Sequence, residues 1–272
     1  MSAIRTRVLP PLRILPPLTA PHRPWRLVER NVYAYRRTWY IFLSGFLEPL
    51  LFLLSIGVGV GSLVGSIKVG GEMVSYKQFV APGLLASAAM NGALLDTTFN
   101  FFIKYKYSHT YDAIVATPVG AGDIATGEIT WALIRGAIYS TAFLVTMLLF
   151  GLVPSWWALL AVPAAVLIGF AFASIGLACT TYMRSWVDFD YVNLALVPLF
   201  LFSATFFPIS QYPAGLQAVI RVTPLYQGVA LVRGLVLGQV DWFMLVHVIY
   251  LVVAGAVGLR IAARRIVRLL QP

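Results

Sequence analysis

The sequence is poor in charged residues and in the side chains that build most enzyme sites. Only 11% of its 272 residues are Asp, Glu, Lys or Arg, and only three are His. Soluble globular domains carry roughly a quarter charged residues, so an ordinary soluble domain is excluded. The three histidines, His22, His109 and His247, fall in a tail, a loop and a hydrophobic run. No metal site is therefore expected.

Catalytic motifs are also missing. The single cysteine, Cys179, allows no disulfide within the chain and says nothing of the redox compartment. No G-x-S-x-G, H-E-x-x-H or Walker A pattern occurs, and the glycine-rich run at 57–65 has no lysine beside Gly61. If the protein uses ATP, a separate chain must bind it. Residues 1–24 contain no apolar run, so no signal peptide is predicted.

What the sequence has in abundance is hydrophobic residues, at 60%. They form six runs of about twenty residues, the length that crosses a bilayer as a helix. The runs are residues 40–64, 79–103, 129–150, 158–181, 191–207 and 240–259. We therefore predict an all-α integral membrane protein with about six transmembrane helices, within a membrane domain at 40–262.

The two ends of the chain are basic. Residues 1–24 form a basic, proline-rich tail, and 263–272 a second basic tail. Between the first tail and the first span, residues 25–39 are predicted to form an amphipathic interfacial helix or, alternatively, to be only the positive flank of that span. Its predicted apolar stripe is Trp25, Val28, Val32, Tyr35 and Trp39. Lys and Arg favour the cytoplasmic side, and an even number of spans places both ends there.

A polar loop at 104–127 separates the second and third spans. Residues 107–115 are predicted to form a short helix, with Ser108 or Thr110 as its N-cap and Thr117-Pro118 as its end. The predicted topology places this loop on the cytoplasmic surface, where a soluble partner can bind it. Glu128, just after the loop, is near the interface and is assigned no role.

Three charged residues fall inside predicted spans: Glu48, Asp96 and Arg135. Each lies about six to nine residues from the cytoplasmic end of its span, or roughly 9–14 Å. An isolated charge at that depth is costly. We predict a cluster that fixes helix packing or lines a substrate path; alternatively, each side chain reaches water on its own.

Two segments resemble a known family, the permeases of type-2 ATP-binding-cassette (ABC) exporters. The loop YDAIVATPVGAGDIATGEI is similar to that family's coupling helix followed by A-T-P-[VL] and a G-E pair. Residues 199–238 resemble its signature F-S-x-x-F-F-P-[IL], then two further prolines and an arginine before a glycine-rich end. The matching residues are Phe202, Ser203, Phe206, Phe207, Pro208, Pro213, Pro224, Leu225 and Arg233. Within the family, the chain looks most like the nodulation-factor and daunorubicin-type exporter branch.

The resemblance implies a dimeric permease, homo- or heteromeric, that carries separate ABC ATPase subunits and sits among lipids in a bacterial inner membrane. ATP and Mg would be bound by those partners, and this chain would hold no cofactor and bind no nucleic acid. Residues 208–238 would form short re-entrant helices on the outer side. The residues expected to couple to the ATPase are Tyr111, Asp112, Ala116, Thr117 and Pro118. The cargo would be a lipid-linked, glycan or drug-like molecule.

Two other classes of membrane protein fit the sequence less well. A stand-alone ion-coupled transporter would need an ion site near the bilayer midplane, usually with inverted repeats; no internal repeat is visible. A membrane-embedded transferase would need a catalytic acid or histidine motif, and none is visible either.

Overall fold

A computed structural model describes residues 23–36, 40–117 and 119–270 of the chain, which are helical apart from turns and one β-hairpin. The α-helices, in chain order, are α1 (Arg23–Tyr35), α2 (Tyr40–Val64), α3 (Tyr76–Leu95), α4 (Thr110–Val115), α5 (Ala121–Leu149), α6 (Ala161–Thr180), α7 (Asp188–Leu201), α8 (Ala214–Val222), α9 (Pro224–Leu237) and α10 (Phe243–Leu270). Short 3₁₀ turns precede α6 and α8, at Trp156–Leu160 and Ile209–Gln211. The all-α class predicted from the sequence is confirmed.

Four helical stretches in the described part of the chain are long and apolar enough to cross a membrane. They are Tyr76–Tyr107, Gly122–Leu149, Trp156–Thr180 and Phe243–Leu270, and they match four of the predicted spans. The pair α8 and α9, bent by 86°, would count as a fifth if it were one broken span. The other two predicted spans fall on α2 and α7, so the count of six stays a prediction.

The predicted span at 191–207 differs most from the structure. Its helix, α7, has 14 residues and ends at Leu201. Pro198 lies inside α7, and the Phe202 N–H donates to the Pro198 carbonyl as the helix stops. Phe202 itself leaves helical geometry, with φ −99° and ψ 29°, and Ala204 then takes a positive φ of 57°. The chain therefore turns at Phe202 instead of continuing as a helix to Phe207.

The helix of the second span continues beyond α3 through two π-helical turns, Asp96–Asn100 and Ile103–Tyr107. In a π turn the hydrogen bond runs from residue i to i+5, so the turn holds an extra residue, and such turns occur frequently at functional sites. Residues 104–107 thus belong to this long helix. The prediction that the short loop helix starts at Tyr107 is wrong.

The polar segment 66–78, between the first two predicted spans, contains a β-hairpin. Strands β1 (Ser66–Val69) and β2 (Glu72–Ser75) pair antiparallel, with Val69 opposite Glu72. Gly70 and Gly71 connect them with φ of +59° and +95°, the positive values that a two-residue hairpin turn requires. Ser75 then starts α3, because its hydroxyl accepts from the Gln78 N–H. The Gly-Gly dipeptide between two short segments of mixed apolar and polar residues is the sequence signal for this hairpin.

Helix α6 lies at the centre of the fold, in contact with α3, α5, α9 and α10. Its buried face consists largely of small residues, which allow neighbouring helices to approach closely in a membrane. Those residues include Ala161, Ala164, Ala165, Gly169, Ala171, Ala173 and Gly176.

Helix α1 packs on α5 through a face that includes only part of the predicted stripe, Val28 and Tyr35. Leu27, Val28 and Asn31 are buried, whereas Trp25 and Val32 are about half exposed. The two helices meet closely at Gly127 of α5, where an added Cβ would lie 2.6 Å from the Leu27 side chain. Helix α5 covers one face of α1, and the exposed Trp25 and Val32 side chains lie on the other face. Trp39, at the end of the predicted stripe, lies outside the described residues.

Candidate functional site

The predicted coupling loop contains a short helix, α4, of six residues. The residue before it is His109, in the left-handed conformation at φ 46°, and no side chain caps the helix. The predicted caps, Ser108 and Thr110, are therefore wrong. The helix ends as predicted near Thr117, whose hydroxyl donates to the Ile114 carbonyl at 2.6 Å. Pro118 lies outside the described residues.

The residues predicted to couple to an ATPase lie on two faces of this segment. Asp112, Ala116 and Thr117 are exposed. The Asp112 carboxylate lies 3.0 Å from His109 Nδ1, with both side chains mostly in solvent, and an exposed pair of this kind contributes little to stability. Tyr111, in contrast, has no exposed surface. The surface available to a soluble partner is thus formed by Asp112, Ala116 and Thr117, and Tyr111 faces the protein interior.

Tyr111 anchors α4 to the membrane helices through Glu128. Its hydroxyl donates to Glu128 Oε1 at 3.0 Å, and its ring stacks on Phe101 with 4.9 Å between centroids. The second oxygen of Glu128 accepts from Lys104 Nζ at 2.7 Å. Burial and the neighbouring Glu128 carboxylate raise the pKa of the Tyr111 hydroxyl well above its usual value. Tyr111 therefore remains a hydrogen-bond donor at physiological pH.

Glu128 is the residue that sequence reasoning missed. Only 3% of its side chain is exposed, and it joins α4, the end of the second-span helix and α5. Lys104 also lies 3.4 Å from the Asn31 amide oxygen of α1. The sequence held one signal: a glutamate at the start of an apolar run, with lysine and tyrosine in the loop before it.

A second ion pair lies deeper in the protein, as predicted for Asp96 and Arg135. Arg135 Nη1 donates to Asp96 Oδ1 at 2.5 Å, and only 11% and 6% of the two side chains are exposed. Arg135 also donates to the Tyr139 hydroxyl at 3.0 Å. Asn100 donates to Asp96 Oδ1 at 2.8 Å and lies 3.5 Å from the Tyr35 hydroxyl. The structure therefore joins α1, α5 and the second-span helix around one carboxylate.

These groups line a cavity of about 580 Å³ between α2, α3, α5 and α7. Its polar lining residues are Tyr35, Ser87, Asn91, Asp96, Asn100, Arg135 and Tyr139. Its apolar lining residues are Pro49, Phe52, Leu84, Ala88, Gly92, Leu95, Phe99 and Phe200. Pro49 brings α2 to the cavity, but the side chain of Glu48, the third member of the predicted cluster, lies outside the described part of the structure.

At the opposite end of the molecule, Arg233 holds the predicted outer segment in place. It is buried on α9 and donates to three backbone oxygens: Phe79 at 3.1 Å, Ala204 at 2.8 Å and Thr205 at 3.3 Å. Its guanidinium also lies 3.9 Å from the Phe79 ring centre. Arg233 thus fixes the turn after α7, with its left-handed Ala204, to the first residues of α3.

The remaining predicted residues of the outer segment mark its bends. Pro208 and Pro213 immediately precede the 3₁₀ turn and α8, and Pro224 is the first residue of α9. Phe206 packs against Phe200 with centroids 5.1 Å apart, whereas Phe207 is 56% exposed. The segment is a set of short helices, as predicted for 208–238.

Among the described residues, no three His, Cys, Asp or Glu side chains are grouped so that they could hold a metal ion. In the part of the chain that the structure describes, two buried acid–base pairs, Lys104–Glu128 and Asp96–Arg135, connect the second-span helix to α5. Their arrangement can transmit or fix helix positions, and the cavity next to them can accommodate a ligand.

Comparison with known proteins extends this picture. The family model described as "ABC-2 type transporter" matches residues 24–237. The chain is 34% identical to Nodulation protein J of Rhizobium leguminosarum bv. trifolii, over 90% of this chain and 93% of that protein. It is 33% identical to Nodulation protein J of Rhizobium meliloti (strain 1021), over 82% of each chain. It is also 22% identical to the inner membrane transport permease YadH of Escherichia coli (strain K12), over 72% of this chain and 75% of that permease.

Proposed function

Because this chain belongs to the ABC-2 type transporter family, as the membrane subunit of an ABC exporter, we propose that the exposed face of α4 is where its ATPase subunit binds. The observation that carries the proposal is the two-sided placement of α4. Asp112, Ala116 and Thr117 are open to solvent, while Tyr111 is fully buried and hydrogen-bonded to Glu128. A surface helix whose buried side is hydrogen-bonded to the spans can move with a partner without separating from the membrane domain.

The buried groups give α4 a direct mechanical connection to the cavity. Glu128 and Arg135 lie seven residues apart on α5, or roughly 10.5 Å along the helix. Each bonds to the second-span helix, through Lys104 and Asp96 respectively. When ATP-driven closure of the ATPase displaces α4, α5 and the second-span helix shift together as rigid elements. That shift changes the width of the cavity that Asp96 and Arg135 line.

The cavity is proposed as part of the export path. One part of its wall presents hydroxyl, amide and charged groups, and another presents phenylalanine, leucine and proline. Such a lining suits a cargo with both polar and apolar parts, or a glycan that hydrogen-bonds to the polar side chains and stacks on the aromatic ones. The lipid-linked, glycan and drug-like classes therefore remain the proposed cargoes.

Assembly and orientation complete the proposal. Two permease chains, identical or different, form the membrane unit in the inner membrane, with both termini and α4 in the cytoplasm. ATP and Mg are bound by the ATPase subunits. The hairpin and the α8–α9 segment then face outward, because they lie at the ends of the spans opposite α4.

The test is capture of a P-loop ATPase. The full chain is co-expressed with ATPase candidates from its own organism and purified by an affinity tag, as wild type, Asp112→Lys and Glu72→Lys. The two variants make the same charge change, on α4 and on the exposed hairpin. We expect wild type and Glu72→Lys to retain the ATPase, and Asp112→Lys to lose at least half of it or of its stimulated ATP hydrolysis.

Equal capture and equal transport by Asp112→Lys would remove the coupling assignment from α4. Capture of no ATPase by any form of the chain, including wild type, would favour the stand-alone ion-coupled transporter.

A further inference from the structure

An apolar groove runs along the outside of the fold between α6 and α10, with a volume of about 820 Å³. Its α10 wall extends from Val246 to Ile261, about 22 Å at the helical rise. Val246, Val253 and Val257 in this wall are each more than half exposed. One leaflet of hydrocarbon is roughly 15 Å thick, so the groove is long enough for an acyl chain.

The same face of α10 ends in arginines. Arg264 and Arg268 follow Val257 and Ile261 at the three- and four-residue spacing of one helix face, and both are exposed. Helix α10 contains Arg260, Arg264, Arg265 and Arg268 but no acidic residue. Within the described chain, no carboxylate pairs with any of these four side chains.

Arg265 connects the arginines to the groove. Its guanidinium lies 4.2 Å from the ring centre of Tyr182, and Tyr182 lines the groove. The Arg265 Nε is buried and has no hydrogen-bond acceptor among the described residues. Asp188, the first residue of α7, accepts from the backbone N–H groups of Arg184 and Ser185. An unused, oriented donor therefore stands at the end of an apolar groove.

We propose that this groove binds one anionic phospholipid, with an acyl chain along α10 and the phosphate at Arg264, Arg265 and Arg268. Basic pockets between membrane helices bind anionic headgroups, because the phosphate oxygens accept from the guanidinium fork. Arginines that only set orientation in the membrane would not need to continue the face of a groove or have a shielded Nε beside it. Lipid binding at this groove would require neither the ATPase nor the cargo.

Cys179 offers a direct readout, because the chain's single cysteine lines this groove and is exposed. The full chain is labelled there with a small thiol-reactive fluorophore and placed in phosphatidylcholine vesicles. Phosphatidylglycerol or phosphatidylcholine with brominated acyl chains is added at equal mole fraction. We expect stronger quenching by the brominated phosphatidylglycerol. Arg265→Gln should shift its half-saturating mole fraction roughly fivefold upward, the contribution of one basic residue at an anionic surface.

Arg221→Gln is the matched control, since Arg221 is exposed on α8, away from the groove, and should change nothing. Arg264→Gln with Arg268→Gln gives a second variant, at exposed positions, if Arg265→Gln does not fold.

Equal quenching by the two lipids, or equal effects at Arg221 and Arg265, would overturn the proposal. Reversal of quenching by inorganic phosphate would assign the arginines to a free anion. Self-quenching between labels would assign the groove to a second copy of the chain; either result also overturns it.

Discussion

At the scale of single residues, two buried ion pairs connect the same two helices. Asp96–Arg135 and Lys104–Glu128 both link the second-span helix to α5, with opposite polarity. Glu128 accepts from Tyr111 as well as Lys104, and Asp96 accepts from Asn100 as well as Arg135. Each carboxylate is therefore satisfied by one cation and one neutral donor.

Removing one partner of the Asp96–Arg135 pair should lower the free energy of unfolding more than removing both. Arg135→Gln leaves a buried carboxylate without its cation and should lower the free energy of unfolding by about 3–5 kcal/mol. Adding Asp96→Asn should restore most of that loss, because no unpaired charge remains. Chemical unfolding of the two single variants and the double variant in detergent measures the coupling. Additive effects would show that the pair does not act as a unit.

The Tyr111 hydroxyl is expected to fix α4 to the spans. Tyr111→Phe keeps the stack on Phe101 and removes the hydrogen bond to Glu128, for a loss of about 1.5–3 kcal/mol in unfolding free energy. The control, Tyr33→Phe, changes a tyrosine that is 74% exposed and should have no measurable effect. Unfolding curves of both variants provide the comparison.

The pH dependence of that loss has a defined sign. Burial raises the folded-state pKa of Tyr111 above the unfolded value of about 10. The hydroxyl's contribution is therefore fully present below about pH 10 and disappears as the pH rises through the folded-state pKa. The difference between Tyr111 and its Phe variant should be equal at pH 6 and pH 9. A difference that shrinks between those values would contradict the assigned protonation.

Sequence reasoning predicted these residues unevenly. Asp96 and Arg135 stand out because a charge inside an apolar run is costly and needs a partner. Glu128 lies at the edge of its run, where water could serve as partner, so composition alone gave no reason to single it out. Tyr111 was predicted by resemblance, but the face it presents depends on where α4 begins. That start is set by the left-handed His109, which local pattern does not reveal.

At the scale of elements, the segment from α8 to α9 turns sharply at one residue. Thr223 is extended (ψ 138°), and its hydroxyl accepts from the Tyr226 N–H. Pro224 keeps Thr223 out of the helical conformation, because a residue before proline is disfavoured there. The 86° bend between the two helices follows from this pair.

Pro224→Ala should therefore reduce transport without loss of ATPase capture. Alanine allows Thr223 to become helical, so α8 and α9 can begin to fuse and the outer segment loses its shape. Transport by reconstituted complex and ATPase retention by affinity purification are measured together. Pro213→Ala, before α8, tests whether any proline of the segment has this effect. Loss of the ATPase from Pro224→Ala would mean that this segment is not on the outer side.

Elements were predictable where hydrophobic runs are long and less so where the backbone departs from regular geometry. The four long spans follow from the length of their apolar runs. The π turns, the early end of α7 and the face of α1 do not, since each depends on what packs beside it. Leu27 and Asn31 are buried because Gly127 allows α5 to approach, and residues that distant in sequence cannot be paired from composition.

At the scale of the whole molecule, basic residues and polar segments divide between two ends. Helix α4, the Tyr182 turn and the arginines of α10 lie at one end of the spans, and the hairpin and α8 lie at the other. At the second end, Gln239 connects the segment after α9 to the hairpin, because its side-chain amide donates to the Val69 carbonyl at 3.0 Å. The predicted orientation places the first end in the cytoplasm.

Labelling from outside the cell tests this orientation. In a Cys179→Ser background, Glu72→Cys on the hairpin should react with a membrane-impermeant maleimide in intact cells. Asp112→Cys on α4 should react only after the membrane is permeabilised. Both positions are exposed, so a difference reports their side of the membrane and not burial. The reverse pattern would invert the topology, and equal labelling in intact cells would contradict any fixed orientation.

The π turn at Asp96–Asn100 makes the ion pairs depend on residue number as well as residue type. Eight residues separate Asp96 from Lys104, and at 3.6 residues per turn they would point about 80° apart. One additional residue in the turn changes this by roughly 100° and brings both side chains to nearly the same side of the helix. A deletion of one residue within this turn would leave seven residues of ordinary α-helix between Asp96 and Lys104, which also point about 20° apart, so the π turn would be lost while Lys104 still faced Glu128. A further insertion of one residue, in contrast, would rotate Lys104 about 100° away from Glu128 unless a second turn of this kind formed.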